Sequence, residues 1–229
     1  MTLLQESVYF GFVLTLLAYL IGAWLKKKIG WAILNPLLVA VVLVITFLCV
    51  FHVDYQSYNS SAEYISYLLT PSTVCLAIPL YRQLELLKKN LLAVVTAIFS
   101  GVLASAVSIF VLSMVFGLNH QQYVSVLPKS ITTAIGMGVS EEAGGIVTIT
   151  VVCIMITGIL GNMIAETVFH IMKIQHPIAR GLALGTSAHA IGTAKALELG
   201  EVEGAMSSLS IAVAGLMTVV AVPLAAGLL

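Results

Sequence analysis

Apolar runs long enough to cross a lipid bilayer recur from one end of this sequence to the other. Hydrophobic residues make up 60% of the 229 positions and charged residues only 9%, and the mean hydropathy is +1.08. A helix needs about 20 apolar residues to span the roughly 30 Å of hydrocarbon in a membrane. No stretch between the runs is long enough for a separate soluble domain. We therefore predict one integral-membrane domain over residues 1–229, built entirely of α-helices.

Six of the runs are predicted transmembrane helices, at residues 8–25, 34–51, 64–80, 91–118, a run that ends at residue 172, and 205–228. Asn35-Pro36 suits the start of the second helix, because proline is tolerated in a first helical turn. The third run carries Pro71 and Pro79. Each proline removes an intrahelical hydrogen bond, so we predict a kinked or interrupted helix there.

Two further segments mix Gly, Ser, Thr and ionisable residues between the apolar runs. The first covers residues 128–145 and includes KSITTAIGMGVS, and the second covers 177–200 and includes GLALGTSAHAIGTAK. Between bilayer-spanning helices, such segments are typical of interrupted helices whose free backbone and hydroxyl groups line a polar cavity. A transport site needs a cavity of this kind.

The distribution of positive charge separates two topologies, because cytoplasmic loops are enriched in Lys and Arg. If the two segments are re-entrant hairpins that enter from opposite sides, eight of the ten cations lie on one side: Lys26, Lys27, Lys28, Arg82, Lys88, Lys89, Lys173 and Arg180. We therefore predict about six transmembrane helices plus two re-entrant hairpins, with eight crossings as the alternative. Two hairpin-plus-helix units of opposite orientation would form an inverted repeat, which supports alternating access to a site near the bilayer midplane.

The first interrupted segment is a candidate binding site for an anion. Ser130, Thr132 and Thr133 supply hydroxyl groups, and Lys129 stands at the mouth of the segment. The N-terminus of a half-helix presents unpaired N–H groups and a partial positive charge, so a carboxylate could bind there with Lys129 as its counter-charge. In the alternative interpretation, Lys129 extends to the lipid headgroups and the small residues only permit close helix packing.

The second interrupted segment is richer in chemistry, with five polar residues in a span of ten: Thr186, Ser187, His189, Thr193 and Lys195. Histidine titrates near neutral pH, so His189 is a candidate for both substrate binding and proton coupling. A structural histidine that bonds a neighbouring carbonyl is the alternative. Lys195 could balance a substrate anion or pair with Glu198, and a pair with Glu198 would be purely structural.

Carboxylates within apolar sequence are further coupling candidates. Glu166 lies in the middle of an apolar run, and Asn162 lies four residues earlier on the same helix face. Together they could hold a cation or a proton, although a hydrogen-bonded helix contact explains them nearly as well. Glu141 and Glu142 are predicted to be solvated, with a coupling-proton site as the less favoured interpretation. The three cysteines have no CxxC spacing, so we expect them to be packing residues and expect no metal site.

Four short sequence motifs, taken together, resemble those of the LrgB/CidB family. They are LNPLL at 34–38, PKSITT at 128–133, GTSAHAIGTA at 185–194 and EGAMSSL at 203–209. The similarity covers essentially the whole chain. This family includes bacterial inner-membrane proteins and the C-terminal half of the plastid glycolate/glycerate transporter, so the resemblance implies a multi-pass protein of a bacterial inner membrane.

The resemblance implies two functions. One is carriage of small monocarboxylates, and the other is antiholin-like modulation of murein hydrolase export, in both cases with a smaller LrgA/CidA-like membrane partner. By matching position, it implies seven substrate-facing residues: Lys129, Ser130, Thr132, Thr133, Ser187, His189 and Thr193. From the residues themselves, the coupling candidates are His189, Glu166, Asn162 and Lys195.

The leading hypothesis is a secondary carrier of glycolate-, lactate- or pyruvate-like anions, driven by a proton or sodium gradient. Direct use of ATP is not expected, because the sequence has no nucleotide-binding motif. The alternative is a membrane interaction protein that modulates a holin-like oligomer. An intramembrane hydrolase using Ser187 and His189 is disfavoured, because residues two apart on a helix point in different directions. We therefore expect no enzymatic activity, no cofactor and no nucleic-acid partner, and we leave open whether the chain forms a homo-oligomer.

Overall fold

A computed structural model describes Ser7, residues 9–31 and residues 34–229, and the regular secondary structure of those residues is helical. Val8, the first residue of the first predicted span, lies outside the described residues. A short 3₁₀ helix, Glu63–Leu68, precedes the α-helix Leu69–Cys75. In chain order the α-helices are α1 (Phe10–Ile29), α2 (Pro36–Val50), α3 (Tyr55–Ala62), α4 (Leu69–Cys75), α5 (Ala77–Arg82), α6 (Leu84–Lys89), α7 (Leu91–Phe116), α8 (His120–Val126), α9 (Thr133–Glu142), α10 (Val147–Ile171), α11 (Pro177–Leu199) and α12 (Glu201–Ala226).

Four helices in the described part of the chain are long and apolar enough to cross a membrane: α1, α7, α10 and α12. They confirm the prediction of an all-α polytopic membrane protein. The second predicted span forms α2, a shorter apolar helix of 15 residues. It begins at the predicted proline because Asn35 Oδ1 accepts a hydrogen bond of 2.9 Å from the backbone N–H of Leu37.

The third predicted span is divided into short helices, as its prolines led us to expect. Pro71 lies in the first turn of α4, and Pro79 lies in the first turn of α5. Proline is tolerated in a first turn, where its missing N–H has no intrahelical partner, but it cannot sit inside a long helix without removing a hydrogen bond. The two prolines therefore account for the break-up of this span.

The chain forms two compact units, Met1–Cys75 and Leu76–Leu229. In the first unit, α1 and α2 pack through Ala18, Ala40 and Val44. A hydrogen bond of 2.6 Å from the Gly11 N–H to Ser61 Oγ joins α1 to the end of α3. The predicted single domain over residues 1–229 stays a prediction.

In the second unit, α8 and α9 form a first hairpin with its tip at residues 127–132. Thr150 Oγ1, on α10, is 2.8 Å from the carbonyl of Ser125 and 2.6 Å from Ser140 Oγ. The residues Ser125 on α8 and Ser140 on α9 therefore lie side by side. A Cβ atom added to Gly136 would lie 3.5 Å from the carbonyl of Pro128, which shows that the chain has reversed direction between them.

The helix α11 is itself a hairpin, which we call the second hairpin. Its backbone leaves the helical region at Ala188 and His189, where His189 has φ 40° and ψ −135°. A Cβ atom added to Gly192 would lie 2.5 Å from the carbonyl oxygen of Leu184. In a straight helix, residues eight apart are separated by about 12 Å. The first arm (177–187) and the second arm (190–199) therefore fold back against each other.

The two hairpins enter the second unit from opposite ends of α12. Tyr123, in the first hairpin, donates a hydrogen bond of 3.0 Å to the carbonyl of Ala225 at the C-terminal end of α12. Gly181, in the second hairpin, packs against Glu203 at the N-terminal end, where an added Cβ atom would lie 2.9 Å from the Glu203 Cα. The two hairpins therefore have opposite orientations, as predicted for an inverted repeat.

Both hairpin tips reach the middle of the spanning helices. Ser130, at the first tip, contacts Ser105 near the middle of α7, with 3.1 Å between the hydroxyl oxygens. His189, at the second tip, packs on Gly158 near the middle of α10. In a membrane both tips would therefore lie near mid-depth.

Basic residues collect at one end of the second unit. Lys88 and Lys89 end α6, just before α7 begins, while Arg180 lies in the first turn of the second hairpin. These two regions are adjacent, because Leu87 and Val94 belong to the same apolar cluster as Ile178. Eight crossings would separate these charges across the membrane, so the arrangement favours the re-entrant topology.

Candidate functional site

A cavity of about 740 Å³ lies between α7, the first hairpin tip and the first arm of the second hairpin. It extends from Asn90 and His176, at the basic end of the unit, to Lys129 and Ser130 near mid-depth. Its remaining wall is small or apolar, apart from four hydroxyl residues, and comprises Ala93, Ala97, Gly101, Ala104, Ser105, Ser108, Ile178, Ala179, Leu182, Ala183, Thr186 and Ser187. The cavity thus connects the basic end of the unit with the depth at which both tips lie.

Small residues on one face of α7 form one wall of the cavity. They recur at spacings of three or four residues, which places them on a single helix face. At Gly101 the helix α7 approaches the second hairpin closely, since a Cβ atom added there would lie 2.8 Å from Thr186 Cγ2. Any side chain at this position would press against the second hairpin. The predicted site residues do not include this face, although its small-residue spacing is visible in the sequence.

Lys129 supplies the positive charge of the site. Its Nζ donates a hydrogen bond of 3.2 Å to Ser130 Oγ, and Ser130 Oγ lies 3.1 Å from Ser105 Oγ. The lysine is half-buried. No carboxylate of the described residues forms an ion pair with it. A partly desolvated ammonium group without a counter-charge is costly, so the site favours an anion from outside the protein.

Two hydroxyl residues face the cavity from the second hairpin. Ser187 is exposed, and its hydroxyl donates a hydrogen bond of 2.6 Å to the carbonyl of Ala183. Thr186 is only 8% exposed, and its buried Oγ1 has no hydrogen-bond partner in the described part of the chain. Thr186 lies within the segment singled out from sequence but is absent from the predicted substrate-facing set. Only the structure shows that its hydroxyl is unsatisfied.

His189 lies away from the cavity wall, at the tip of the second hairpin. Its side chain is buried, and Nε2 is 3.0 Å from the carbonyl of Ile154 on α10. Gly158 provides the space for the ring, because an added Cβ atom would lie 2.8 Å from Nε2. This contact agrees with the alternative interpretation of His189, in which it is a structural histidine that bonds a neighbouring carbonyl. Its roles in substrate binding and proton coupling stay predictions.

Three predicted threonines also lie outside the cavity wall. Thr132 and Thr133 form the start of α9, directly after the first tip. Thr193 is fully buried on the second arm, where Oγ1 lies 3.0 Å from the carbonyl of His189 and 2.7 Å from Ser207 Oγ on α12. The structure thus brings together Lys129, Ser130 and Ser187 from the predicted set but does not bring these threonines to the same cavity.

The remaining coupling candidates join the second arm to α10. Asn162 Nδ2 donates a hydrogen bond of 3.0 Å to the carbonyl of Ile191, close to the helix break. Lys195 pairs with Glu166 and, at 3.2 Å, with Glu198. These contacts satisfy polar groups that a hairpin exposes inside the protein. They agree with the structural alternatives stated for these residues, and their coupling roles stay predictions.

Two further carboxylates lie outside the cavity wall. Glu141 and Glu142 are exposed at the C-terminal end of α9, in agreement with the solvated interpretation. Within the described residues, His, Cys, Asp and Glu side chains form no group of three that would bind a metal ion. The polar residues that line the cavity are Lys129, five hydroxyl residues, and Asn90 and His176 at its basic end.

The helix break at His189 leads to a stability prediction. Replacing His189 with either alanine or glycine removes the contact with Ile154, but only glycine lacks the Cβ atom that disfavours φ 40°. The glycine variant should therefore be more stable than the alanine variant by about 1 kcal/mol. Thermal unfolding of both variants in detergent measures the difference. An alanine variant at least as stable as the glycine variant would contradict the backbone conformation at this tip.

Comparisons with a family model and with individual proteins both identify LrgB-like relatives of this chain. The LrgB-like family model matches residues 15–228. Proteins named antiholin-like protein LrgB from Bacillus cereus strain B4264 and Bacillus anthracis strain A0248 are each 40% identical over 217 residues, which cover 94% of this chain and 94% of the relative. No solved structure matches the chain. The family match and the near full-length similarity show that this chain belongs to the LrgB-like family of multi-pass membrane proteins.

Proposed function

We propose that the chain is a secondary carrier of small monocarboxylates such as glycolate, lactate or pyruvate. The observation that carries this proposal is Lys129, a half-buried lysine at the wall of the cavity with no carboxylate partner among the described residues. Its neighbours are hydroxyl groups, which can donate hydrogen bonds to carboxylate oxygens. A small monoanion would supply the missing charge and accept the available donors.

The arrangement of the hairpins supports transport rather than simple binding. In carriers with inverted repeats, rocking of one repeat against the other exposes a midplane site to each side in turn. Here the first tip precedes the N-terminus of α9, whose partial positive charge adds to that of Lys129. An anion at this level is attracted by both and has a route to the basic end of the unit through the cavity.

Energy for transport would come from a proton or sodium gradient. The coupling candidates are His189, Glu166, Asn162 and Lys195, which lie on the second hairpin and on the helix α10 beside it. We place the protein in a bacterial inner membrane and propose no enzymatic activity. A smaller LrgA/CidA-like membrane protein is the proposed partner, and assembly with further copies of this chain is open.

Uptake into proteoliposomes tests the carrier proposal. The purified chain, reconstituted alone or together with an LrgA/CidA-like protein, should take up radiolabelled lactate with saturable kinetics. An imposed proton or sodium gradient should raise the initial rate, and the gradient that does so identifies the coupling ion. Uptake no faster than into protein-free liposomes in both preparations would refute the carrier proposal.

The second candidate function is antiholin-like modulation of murein hydrolase release. The name of the Bacillus relatives, antiholin-like protein LrgB, favours it. It requires helix surfaces that bind a holin-like oligomer and does not require a solute site. The small-residue face of α7 is suited to close helix packing as well as to lining a cavity.

An autolysis assay separates the two functions. Cells that carry a Lys129→Met variant should lose regulation of autolysis if that regulation depends on carboxylate transport. Unchanged regulation in a variant shown to lack uptake would assign the biological effect to protein contacts. The variant must first be shown to reach the membrane at the normal amount.

A further inference from the structure

A second, much smaller cavity adjoins the first. Its volume is about 20 Å³, and it shares Ser105, Ser130 and Thr186 with the large cavity. A volume of this size holds about one water molecule or one oxygen atom of a ligand. The small cavity is therefore a recess in the wall of the large one, sized for a single polar atom.

Four different elements each contribute one hydroxyl-bearing residue to the wall of the recess. Ser105 comes from α7, Ser130 from the first tip, Thr186 from the second hairpin and Thr218 from α12, while the other lining residues are apolar. A polar atom held among apolar walls needs two to four hydrogen-bond partners. The recess has four hydroxyl residues in its wall, where the first tip and the first arm of the second hairpin meet α7 and α12.

Within this group, the Thr186 hydroxyl is both fully buried and unsatisfied. Ser105 and Ser130 already contact each other at 3.1 Å. The Thr186 hydroxyl is buried without a partner in the described part of the chain. Leaving a buried hydroxyl unpaired destabilises a protein, and each such group in a native structure calls for an explanation. A ligand atom placed in the recess would satisfy it.

We propose that the recess binds the oxygen atom at the 2-position of a 2-hydroxy or 2-oxo acid, and that Thr186 is the residue that selects such acids over unsubstituted carboxylates. This inference rests on the proposed carrier function. Ser130 connects the two parts of the site, because its hydroxyl receives the hydrogen bond from Lys129 and also lines the recess. The carboxylate binds at Lys129, and the oxygen on the adjacent carbon reaches Thr186.

The test compares lactate with propionate, which differ only by the 2-hydroxyl group. Binding of each acid to the purified full-length chain is measured for the unmodified protein and for Thr186→Val, which has a similar shape but no hydroxyl. The unmodified protein should prefer lactate, and Thr186→Val should lower the preference by about tenfold by weakening lactate binding alone. Propionate binding should stay within about twofold.

Thr150→Val is the matched control, because Thr150 is a buried threonine on α10 whose hydroxyl already contacts Ser125 and Ser140. This control should lose thermal stability and keep the lactate preference. Thr186→Val should keep its thermal stability and lose most of the lactate preference, since removing an unsatisfied hydroxyl does not destabilise the fold.

The outcomes distinguish the two proposals. If the unmodified protein binds neither acid, the carrier function is refuted and this inference with it. If it binds both acids equally, or if Thr186→Val keeps the full preference for lactate, carriage stands and the role of Thr186 is refuted. A loss of stability in Thr186→Val without a change in preference would show that the hydroxyl is structural and that only water occupies the recess.

Discussion

Replacing Lys129 with methionine is expected to weaken lactate binding by about a hundredfold. Lys129 is the cation at the inner end of the cavity, and its Nζ reaches the hydroxyl of Ser130. Hydrogen bonds to charged groups contribute about 1.5–3 kcal/mol each, and a hundredfold change in affinity corresponds to about 2.7 kcal/mol. Methionine keeps much of the length and apolar surface of lysine but removes the charge.

Three measurements make this prediction specific. Binding by Lys88→Met should be normal, because Lys88 is exposed at the end of α6 and does not line the cavity. Lys129→Arg should retain binding within about tenfold, since it preserves the positive charge. Thermal stability of Lys129→Met should be equal or higher, because an uncompensated cation at membrane depth is unfavourable. Normal lactate binding by a folded Lys129→Met variant would remove the proposed anion site.

Replacing Gly185 with leucine is expected to prevent correct folding of the second hairpin. Gly185 packs directly on α12, where an added Cβ atom would lie 2.7 Å from Ser210 Cβ and 2.8 Å from Ser207 Cα. Backbone and short side chains cannot move aside as a flexible side chain can. Overpacking of this kind costs about 3 kcal/mol, and the larger leucine side chain would also separate the hairpin from the helix that anchors it.

Gly138→Leu provides the matched control, because an added Cβ atom at Gly138 meets no other atom within 4 Å. Gly138 lies inside α9, where leucine has the higher helix propensity, so this variant should be at least as stable as the unmodified chain. Thermal unfolding in detergent and the yield of membrane-inserted protein measure both variants. Equal stability of the two would contradict the close contact between the second hairpin and α12.

Several elements of the fold could be predicted because they follow from local chemistry. Asn35 and Pro36 predict the start of α2, since one caps the helix and the other is compatible with its first turn. Pro71 and Pro79 predict a divided third segment for an equally local reason. Charge distribution predicts the re-entrant topology, because lysines and arginines favour the same side of the membrane wherever they occur in the chain.

The composition of the site could be predicted only in part. Two polar sequence motifs contribute Lys129, Ser130 and Ser187, and all three residues line one cavity. His189 lies in the same motif as Ser187, but its ring turns to the carbonyl of Ile154, which is 35 residues away in sequence. Ser105 is one of five hydroxyl residues in the run 91–118, and nothing in the sequence distinguishes it as the one whose hydroxyl meets Ser130.

Residue types and their order were enough to predict that the chain is helical, spans a membrane and breaks its helices at two polar segments. These properties depend on hydrophobic length, proline and glycine placement and charge, which act over one or two helical turns or across the membrane as a whole. Which hydroxyl residues line the cavity, and which hydroxyls have hydrogen-bond partners, depended on the folded structure. These properties depend on the packing of α7, α12 and the two hairpins. The residues that surround the Thr186 hydroxyl are distant from it in sequence, and in the described part of the chain none of them forms a hydrogen bond with it.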